Sequence, residues 1–447
     1  MPTEMSSPAR PSMFASLRVR NFRIFLTGQV ISFIGGWTQR IAQDWLVLSL
    51  TGSATAVGIT TAMQFLPTVL FGPFGGLLAD RFPKRRVLLV TQSVLLASSS
   101  TLAALVVLGS VQVWHIYLLA AIFGAAVAVD NPTRQAFINE VVGAPQLRNA
   151  ISLNSAAFQL GALVGPAVSG VLISTVGISS AFVVNAASFV VALGSLLLMR
   201  TDELTQLQYK ADRRTERQEH VLPYMISRRE IFWPTLMMAT FAVFTTSYPV
   251  SLTSFASHEF DIGASGFAFL TCMLAVGSLC GSLLAARRGT IRLRSLIAMS
   301  SSLVVAQLVT SLAPGVVAFS GCLIAMGLFA VMTGVSANST VQLASGDAIR
   351  GRVMGMYLLA VFGAGTLGGP LVGWINEQYG PRLGLGLGAV VPGIMVAIMA
   401  IALARATGVT TLPVARERIL ATGGHLREAL SHTTDRVVDV TKVLARR

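Results

Sequence analysis

Apolar stretches long enough to cross a lipid bilayer follow one another along almost the whole chain, separated by short polar links. One membrane-spanning helix needs about 20 apolar residues. Twelve such segments can be marked, at 24–50, 56–79, 87–109, 113–136, 150–174, 177–199, 232–255, 264–286, 294–313, 316–340, 353–376 and 382–404. The pattern therefore predicts an all-α polytopic membrane protein with 12 transmembrane helices.

The longest polar interruption separates six segments from six, which predicts two six-helix bundles joined by a mobile linker. The predicted divisions are an N-terminal segment 1–23, an N-terminal bundle 24–199, a linker 200–231, a C-terminal bundle 232–404 and a basic tail 405–447. The apolar residues of the tail fall near one helical face. The tail is therefore either a basic amphipathic helix on the membrane surface or a partly disordered extension.

The charged residues support a membrane assignment and give it an orientation. Only 12% of the residues are charged, against about a quarter in soluble domains. Thirty of the 33 Lys and Arg residues lie in alternate links, on one side of the predicted bundle. Links rich in Lys and Arg face the cytoplasm, so both termini and the linker are expected on the cytoplasmic side. The membrane is expected to be the plasma (inner) membrane of a bacterium. This distribution also argues against nucleic acid as the partner of a chain with net charge +14.

A short charged link between the second and third segments, residues 80–86, carries five charges in seven residues. We call it the elbow; its charged residues are Asp80, Arg81, Lys84, Arg85 and Arg86. Because the link is so short, the two helices that it joins must be antiparallel neighbours. The elbow either makes contacts between the two halves or only sets the orientation of the chain.

Five residues of the fifth segment recur in the eleventh at a constant offset of 204 residues. Arg148, Phe158, Gly161, Gly165 and Pro166 match Arg352, Phe362, Gly365, Gly369 and Pro370. Both copies begin on the same side, so the halves are predicted to be parallel repeats with a site between them near mid-membrane. These glycines and prolines, with Gly170 and Gly373, are expected to let helices pack closely and bend.

Together, the twelve segments, the elbow and the Gly-Pro fifth segment resemble the major facilitator superfamily. Several short motifs resemble its branch of enterobactin exporters and macrolide-efflux proteins: Gly28-Gln29, Trp45-Leu46-Val47, Leu50 to Ser53, and Asp130-Asn131-Pro132 with Arg134-Gln135. Two positions depart from the family pattern. Pro83 stands where the elbow favours glycine, and Ala285 stands where the second-half elbow would have aspartate.

The resemblance implies a cytoplasmic gate and a direction of transport. In the family, an elbow cation reaches an acid on the fourth helix, which implies a contact of Lys84 or Arg85 with Asp130 when the protein faces outward. Asp80 would then face the start of the eleventh helix near Arg352. The predicted gate residues are Asp80, Arg81, Lys84, Arg85, Asp130, Arg134 and Arg352. The Gly-Pro motif of the fifth helix is typical of proton antiporters, which favours export.

Two acids lie well inside predicted spans, and each has an arginine one helical turn away. Asp44 follows Arg40, and Asp130 precedes Arg134. Ionisable groups in a membrane normally face a partner or a water-filled cavity. Asp44 and Arg40 are thus candidates for proton coupling, and the alternative is a permanent ion pair that only fixes the helix.

Polar residues recur along one face of the first segment, which predicts that this face lines a central cavity. The predicted cavity residues are Gln29, Ser32, Gln39, Gln43, Gln64, Tyr248 and Asn338. Isolated polar residues in spans also serve as hydrogen-bonding contacts between helices. The mostly apolar surface favours a small lipophilic substrate.

No enzyme or ATP-driven motif is found. None of the three lysines follows a glycine, so there is no phosphate-binding loop, and no His-Glu-x-x-His zinc motif occurs. We therefore expect a monomeric, proton-driven exporter that uses the proton gradient with no cofactor and no metal. An importer or facilitator of a small solute, and a membrane sensor or scaffold, are the alternatives.

Overall fold

The computed structural model describes residues 14–204, 221–287, 293–346 and 349–406, apart from a few side chains that include Asp80. The predicted tail, except for its first two residues, and the middle of the linker lie outside the described residues. The helices are α1 Arg20–Thr51, α2 Ala54–Arg81, α3 Lys84–Val107, α4 Val113–Val142, α5 Leu147–Thr175, α6 Ser179–Leu197, α7 Val221–Ser227, α8 Arg229–Thr245, α9 Tyr248–Ser254, α10 Gly263–Arg287, α11 Leu293–Leu312, α12 Val316–Ala344, α13 Arg350–Tyr379 and α14 Pro381–Ala406.

The predicted all-α membrane fold is confirmed. The described residues contain no strand, and eleven helical stretches within them are long and apolar enough to cross a membrane. The long helix outside that set is α1, whose polar residues lower its hydropathy. The first of the twelve predicted spans therefore forms as a helix, while its membrane crossing stays a prediction.

The sequence pattern suggested one continuous helix for the seventh predicted span, but the structure shows that this helix is broken. It consists of α8, α9 and a π-helical turn at Phe255–Glu259. The break follows from Pro249, at the start of α9. Proline has no N–H to donate to the carbonyl of Thr245, and its ring crowds that carbonyl.

The linker also differs from the prediction, because its last part is the short helix α7. Met225 of α7 is buried in an apolar cluster with Ile231, Val341, Val353 and Tyr357. Burial of these side chains on the ends of α12 and α13 holds the segment in place. At least this end of the predicted mobile linker is ordered by packing.

The two halves repeat one packing scheme. Helix α1 packs on α5, α2 on α4 and α3 on α4; in the second half α8 packs on α13, α10 on α12 and α11 on α12. The halves meet through two equivalent pairs, α2 with α13 and α5 with α10. The chain divides after Ile394 into two compact units, and every contact discussed here lies in the first.

Tight links explain why neighbouring helices are antiparallel. Gly52, with φ of 65°, ends α1 in a left-handed conformation that glycine adopts without strain. The side chain of Ser53 then accepts a hydrogen bond from the N–H of Ala56 and caps α2. At the elbow only Phe82 and Pro83 separate α2 from α3.

Candidate functional site

A cavity of about 220 Å³ lies within the N-terminal half, lined by residues of α1 to α6. Four of the predicted cavity residues line it: Ser32, Gln39, Gln43 and Gln64. Helix α1 contributes the longest run of lining residues because its polar face turns toward the other five helices. This helix therefore supplies most of the polar chemistry of the site.

The remaining predicted cavity residues lie elsewhere. Gln29 is 2% exposed but does not line the cavity. Tyr248 lines a second cavity, of about 260 Å³, within the C-terminal half, where its hydroxyl is 3.0 Å from the Oε1 atom of Gln307. Asn338 is half-buried and lines neither cavity. The predicted set is thus divided between the two halves.

Asp44 and Arg40 do not form an ion pair with each other. Asp44 is 1% exposed, and neither of its carboxylate oxygens has a hydrogen-bond partner among the described residues. The guanidinium of Arg40 lies instead over two aromatic rings, 5.6 Å from the centroid of Trp37 and 5.3 Å from that of Phe65. The arginine reaches the cavity, whereas the aspartate is enclosed beside it.

Asp130 and Arg134, in contrast, form a buried ion pair in which both carboxylate oxygens of Asp130 are hydrogen-bonded. Arg134 donates to Oδ2 of Asp130. The other oxygen, Oδ1, accepts hydrogen bonds from Thr91 at 2.8 Å and from Gln92 at 3.0 Å. Such a network holds α3 against α4, because removing any member would leave a buried polar group without its partner.

The elbow cations bind within their own half. Lys84 forms an ion pair of 2.8 Å with Glu140 of α4. The Nε atom of Arg85 donates to the carbonyl of Leu196 at 2.9 Å, at the end of α6. Arg81 is exposed, as is Arg352. The predicted pairing of Lys84 or Arg85 with Asp130 belongs to an outward-facing state and stays a prediction.

The repeated glycines make close contacts of two kinds. In the first half, Gly161 packs on Phe33 and Gly165 on Trp37, both in α1. Gly170 instead packs on Ala268 of α10, in the other half. An added Cβ at any of these positions would collide with its neighbour. Proline 166 lies inside α5 and Pro370 inside α13, without ending either helix.

The second-half glycines close the interface between α2 and α13. A Cβ at Gly369 would collide with the backbone of Gly58, and one at Gly373 with that of Ala54. Gly365 packs within its own half, on Thr246. Among these glycine contacts, the tightest one between the two halves lies where Gly58 of α2 meets Gly369 of α13.

An acidic residue that was not among the predicted site residues also lies at this interface. Glu377, near the end of α13, accepts hydrogen bonds from the hydroxyls of Ser53 at 2.8 Å and Thr55 at 2.6 Å, and from the Thr55 N–H at 3.3 Å. A carboxylate at the start of α2 also meets the positive end of that helix. The only signal in the sequence was an acid placed near the end of a span.

The two equivalent halves, the polar α1 and the paired interface helices define a multi-pass α-helical membrane protein built of two structural repeats. The profile of the family described as "Transmembrane secretion effector" matches residues 11–420. The chain belongs to this family, within the major facilitator superfamily, as its motifs predicted. Members of the superfamily are transporters and not enzymes, which confirms the prediction that the chain is not an enzyme.

Similar proteins include transporters of several kinds. The chain is 24% identical to the staphyloferrin A transporter of Staphylococcus aureus over 58% of this chain and 66% of that protein. It is 24% identical to the multidrug efflux pump Tap of Mycolicibacterium fortuitum, over 76% and 85%, and 20% identical to the enterobactin exporter EntS of Shigella flexneri, over 86% and 92%. The chain thus spans just under two thirds of the length of the S. aureus protein.

Solved structures confirm the fold. The nucleoside transporter NupG superposes with a TM-score of 0.67 at 13% identity, over 85% of this chain and 98% of that one. A bacterial homologue of the lysosomal transporter Spinster, in an inward-facing and occupied conformation, gives 0.64 at 15% identity, over 86% and 96%. At such low identity the likeness concerns the arrangement of helices alone.

Proposed function

We propose that the protein exports a small lipophilic compound, such as a drug, siderophore or secondary metabolite, in exchange for protons. The single chain alternates between a state open at the elbow and a state open at the other end. The elbow, both termini and the linker face the cytoplasm, and the cavity beside α1 receives the substrate.

The observation that carries the proposal is the isolation of Asp44. An ionisable group enclosed in a membrane protein is by default part of a proton or substrate pathway. A purely structural aspartate would be hydrogen-bonded, as Asp130 is, whereas both oxygens of Asp44 have no partner among the described residues. Asp44 is therefore the proposed proton carrier.

The similar proteins support export as the direction. A multidrug efflux pump and an enterobactin exporter are among them. The contacts at the two ends of the helices also suit alternating access. Residues 53–58 of α2 contact α13 across the interface, while the described bonds of Lys84, Arg85 and Asp130 stay within one half.

The test is transport by the full chain reconstituted in liposomes under an imposed pH gradient. Three lipophilic dyes are compared, one cationic (ethidium), one neutral (Nile red) and one anionic (fluorescein). We expect the gradient to drive at least one dye across the membrane, and we expect Asp44→Asn to abolish that response. The exposed Glu230 provides a matched control, and Glu230→Gln should transport like the wild type.

Two results would overturn the proposal. Gradient-driven transport by Asp44→Asn at the wild-type rate would remove the proton role of Asp44. Dye movement in the same direction as protons would instead indicate an importer. Thermal melting of each variant in detergent confirms that the substituted protein is folded.

A further inference from the structure

The N-terminal cavity has an unbalanced charge. Its lining includes two arginines, Arg40 and Arg134, and neither an aspartate nor a glutamate among the described residues. The charge of Arg134 is already neutralised by its ion pair with Asp130. Arg40 forms no ion pair with any described residue. Among the residues that line the cavity, Arg40 is therefore the cation without an ion-pair partner, and Asp44, one helical turn away, does not line the cavity.

The aromatic neighbours of Arg40 do not replace an anion. A cation over an aromatic ring gains much less free energy from that contact than an ion loses in solvation when it is withdrawn from water. The rings of Trp37 and Phe65 hold the guanidinium plane in place. Held in this way, the planar fork of an arginine is suited to a carboxylate, which it can bind through two parallel hydrogen bonds.

An amide lies beside this cation on the same helix face. Gln43 follows Arg40 by three residues, so their side chains are neighbours. Gln43 lines the cavity, is 4% exposed, and has no hydrogen-bond partner for its Nε2 atom among the described residues. Gln39 is already engaged, because its Oε1 atom accepts from Asn185 at 2.7 Å. A buried donor without an acceptor is costly, so Gln43 also requires a group that accepts hydrogen bonds.

The part of the cavity wall next to Arg40 is aromatic. The ring of Phe158 lies edge-on to those of Phe33, at 5.4 Å, and Trp37, at 5.9 Å. All three residues line the cavity. The volume of about 220 Å³ is below the roughly 300–1,000 Å³ of pockets for drug-sized molecules. It suits a flat apolar group of one or two rings.

We infer that this cavity takes a compound with an acidic group on a flat apolar body. The acidic group binds the guanidinium of Arg40 and the amide of Gln43, and the apolar body lies against Phe33, Trp37 and Phe158. This inference rests on the proposed function in taking the cavity as the substrate site, and it narrows the lipophilic substrate to an organic acid.

The experiment compares one pair of probes that differ only in the acidic group, which is a carboxylate in one and an uncharged amide in the other. Naphthoic acid and its amide, naphthamide, have the same ring system, and the acid is ionised at neutral pH. Binding to the purified full chain in detergent is measured by isothermal titration calorimetry. A charge-assisted hydrogen-bonded pair predicts that the acid binds at least about tenfold more tightly than the amide.

Variants assign that preference to Arg40. Arg40→Gln is expected to reduce the affinity for the acid to that for the amide, while Arg40→Lys keeps the charge and retains part of the preference. The exposed Arg86 supplies the control, since Arg86→Gln removes one positive charge outside the cavity and should bind both probes as the wild type does. Thermal melting excludes variants that fail to fold.

Three outcomes would overturn the inference: equal affinity of the wild type for acid and amide, an acid preference that survives in Arg40→Gln, or no binding of either probe. Binding in detergent needs neither a membrane nor a gradient. A failure of proton-driven transport with the acid preference intact would therefore refute only the proposed function. Proton-driven transport without any acid preference would refute only this inference.

Discussion

The elbow end and the opposite end of the long helices are held by different chemistry. At the elbow end, charged side chains bind partners in their own half, as in the Lys84–Glu140 ion pair and the Asp130–Arg134 network. At the other end, backbones of the two halves touch through glycines, and Glu377 of α13 bonds to the start of α2. The charges at the elbow end stabilise the N-terminal half. The contacts at the opposite end, which we call the far end, join the two halves.

This difference has a consequence for alternating access. Contacts between halves must break when the protein changes state, so they should be individually weak or geometrically simple. Exposed hydrogen bonds to one carboxylate and glycine-to-glycine packing meet that condition. A buried ion pair with further hydrogen bonds, such as that of Asp130, lies within one half, where no separation is required.

The largest effect is expected at Asp130. Asp130→Ala leaves Arg134 buried without its partner, and breaking a buried pair costs about 3–5 kcal/mol. We expect a large fall in the thermal melting temperature in detergent, and a smaller one for Asp130→Asn, which keeps one acceptor. Asp202→Ala, at an exposed acid, is the control. A melting temperature of Asp130→Ala equal to that of the control would refute the structural role.

The next effect concerns the glycine contact between halves. Gly369→Ala places a methyl group against the backbone of Gly58, and overpacking costs about 1–3 kcal/mol. Since the far end can no longer close, we expect the transport rate in liposomes to fall by roughly tenfold. Gly363, on the same helix, has open space around it. Equal loss in Gly363→Ala would show that any alanine in α13 is harmful.

A smaller effect is expected for Glu377. Glu377→Ala removes three exposed hydrogen bonds to α2, together worth about 1 kcal/mol, which is roughly a fivefold change in population. The far end should open more often. Labelling of Ala54→Cys by an impermeant maleimide should therefore rise about fivefold, in a background where the three native cysteines are replaced by serine. Gln378→Ala serves as the control, and unchanged labelling in Glu377→Ala would contradict this gate.

The smallest effect is expected for the elbow ion pair. Lys84 and Glu140 are partly exposed, and pairs of this kind contribute under about 1 kcal/mol. A double-mutant cycle with Lys84→Met and Glu140→Gln, followed by thermal melting, should show weak positive coupling. Labelling of Ala54→Cys should stay unchanged in all three variants. A rise in labelling would connect the elbow to the far end and weaken the contrast between them.

Much of the fold could be predicted from the sequence because burial in a membrane leaves a strong linear signal. The predicted span 56–79 forms helix Ala54–Arg81, and 316–340 forms Val316–Ala344. The break in the seventh span was less apparent, although Pro249 is its cause. A hydropathy pattern records how apolar a segment is, not whether its backbone hydrogen bonds are continuous.

The candidate site was predicted less completely. The polar face of α1 indicated three residues that line the cavity, Ser32, Gln39 and Gln43. The sequence did not separate Asp44, which is enclosed and unbonded, from Asp130, whose two oxygens are both bonded. Both aspartates have an arginine four residues away. Which aspartate and arginine form an ion pair depends on residues of other helices. Here these are Thr91 and Gln92 of α3 beside Asp130, and the ring of Phe65 of α2 beside Arg40.

The membrane class, the number of apolar segments, the repeat and the family could be read from residue type and spacing along one chain. The three-dimensional packing was needed to show that Glu377 meets Ser53, that Gly58 meets Gly369, and that the ring of Phe65 lies against Arg40. These are relations between residues far apart in sequence. They are set by how helices pack, and packing depends on the shapes of both surfaces at once.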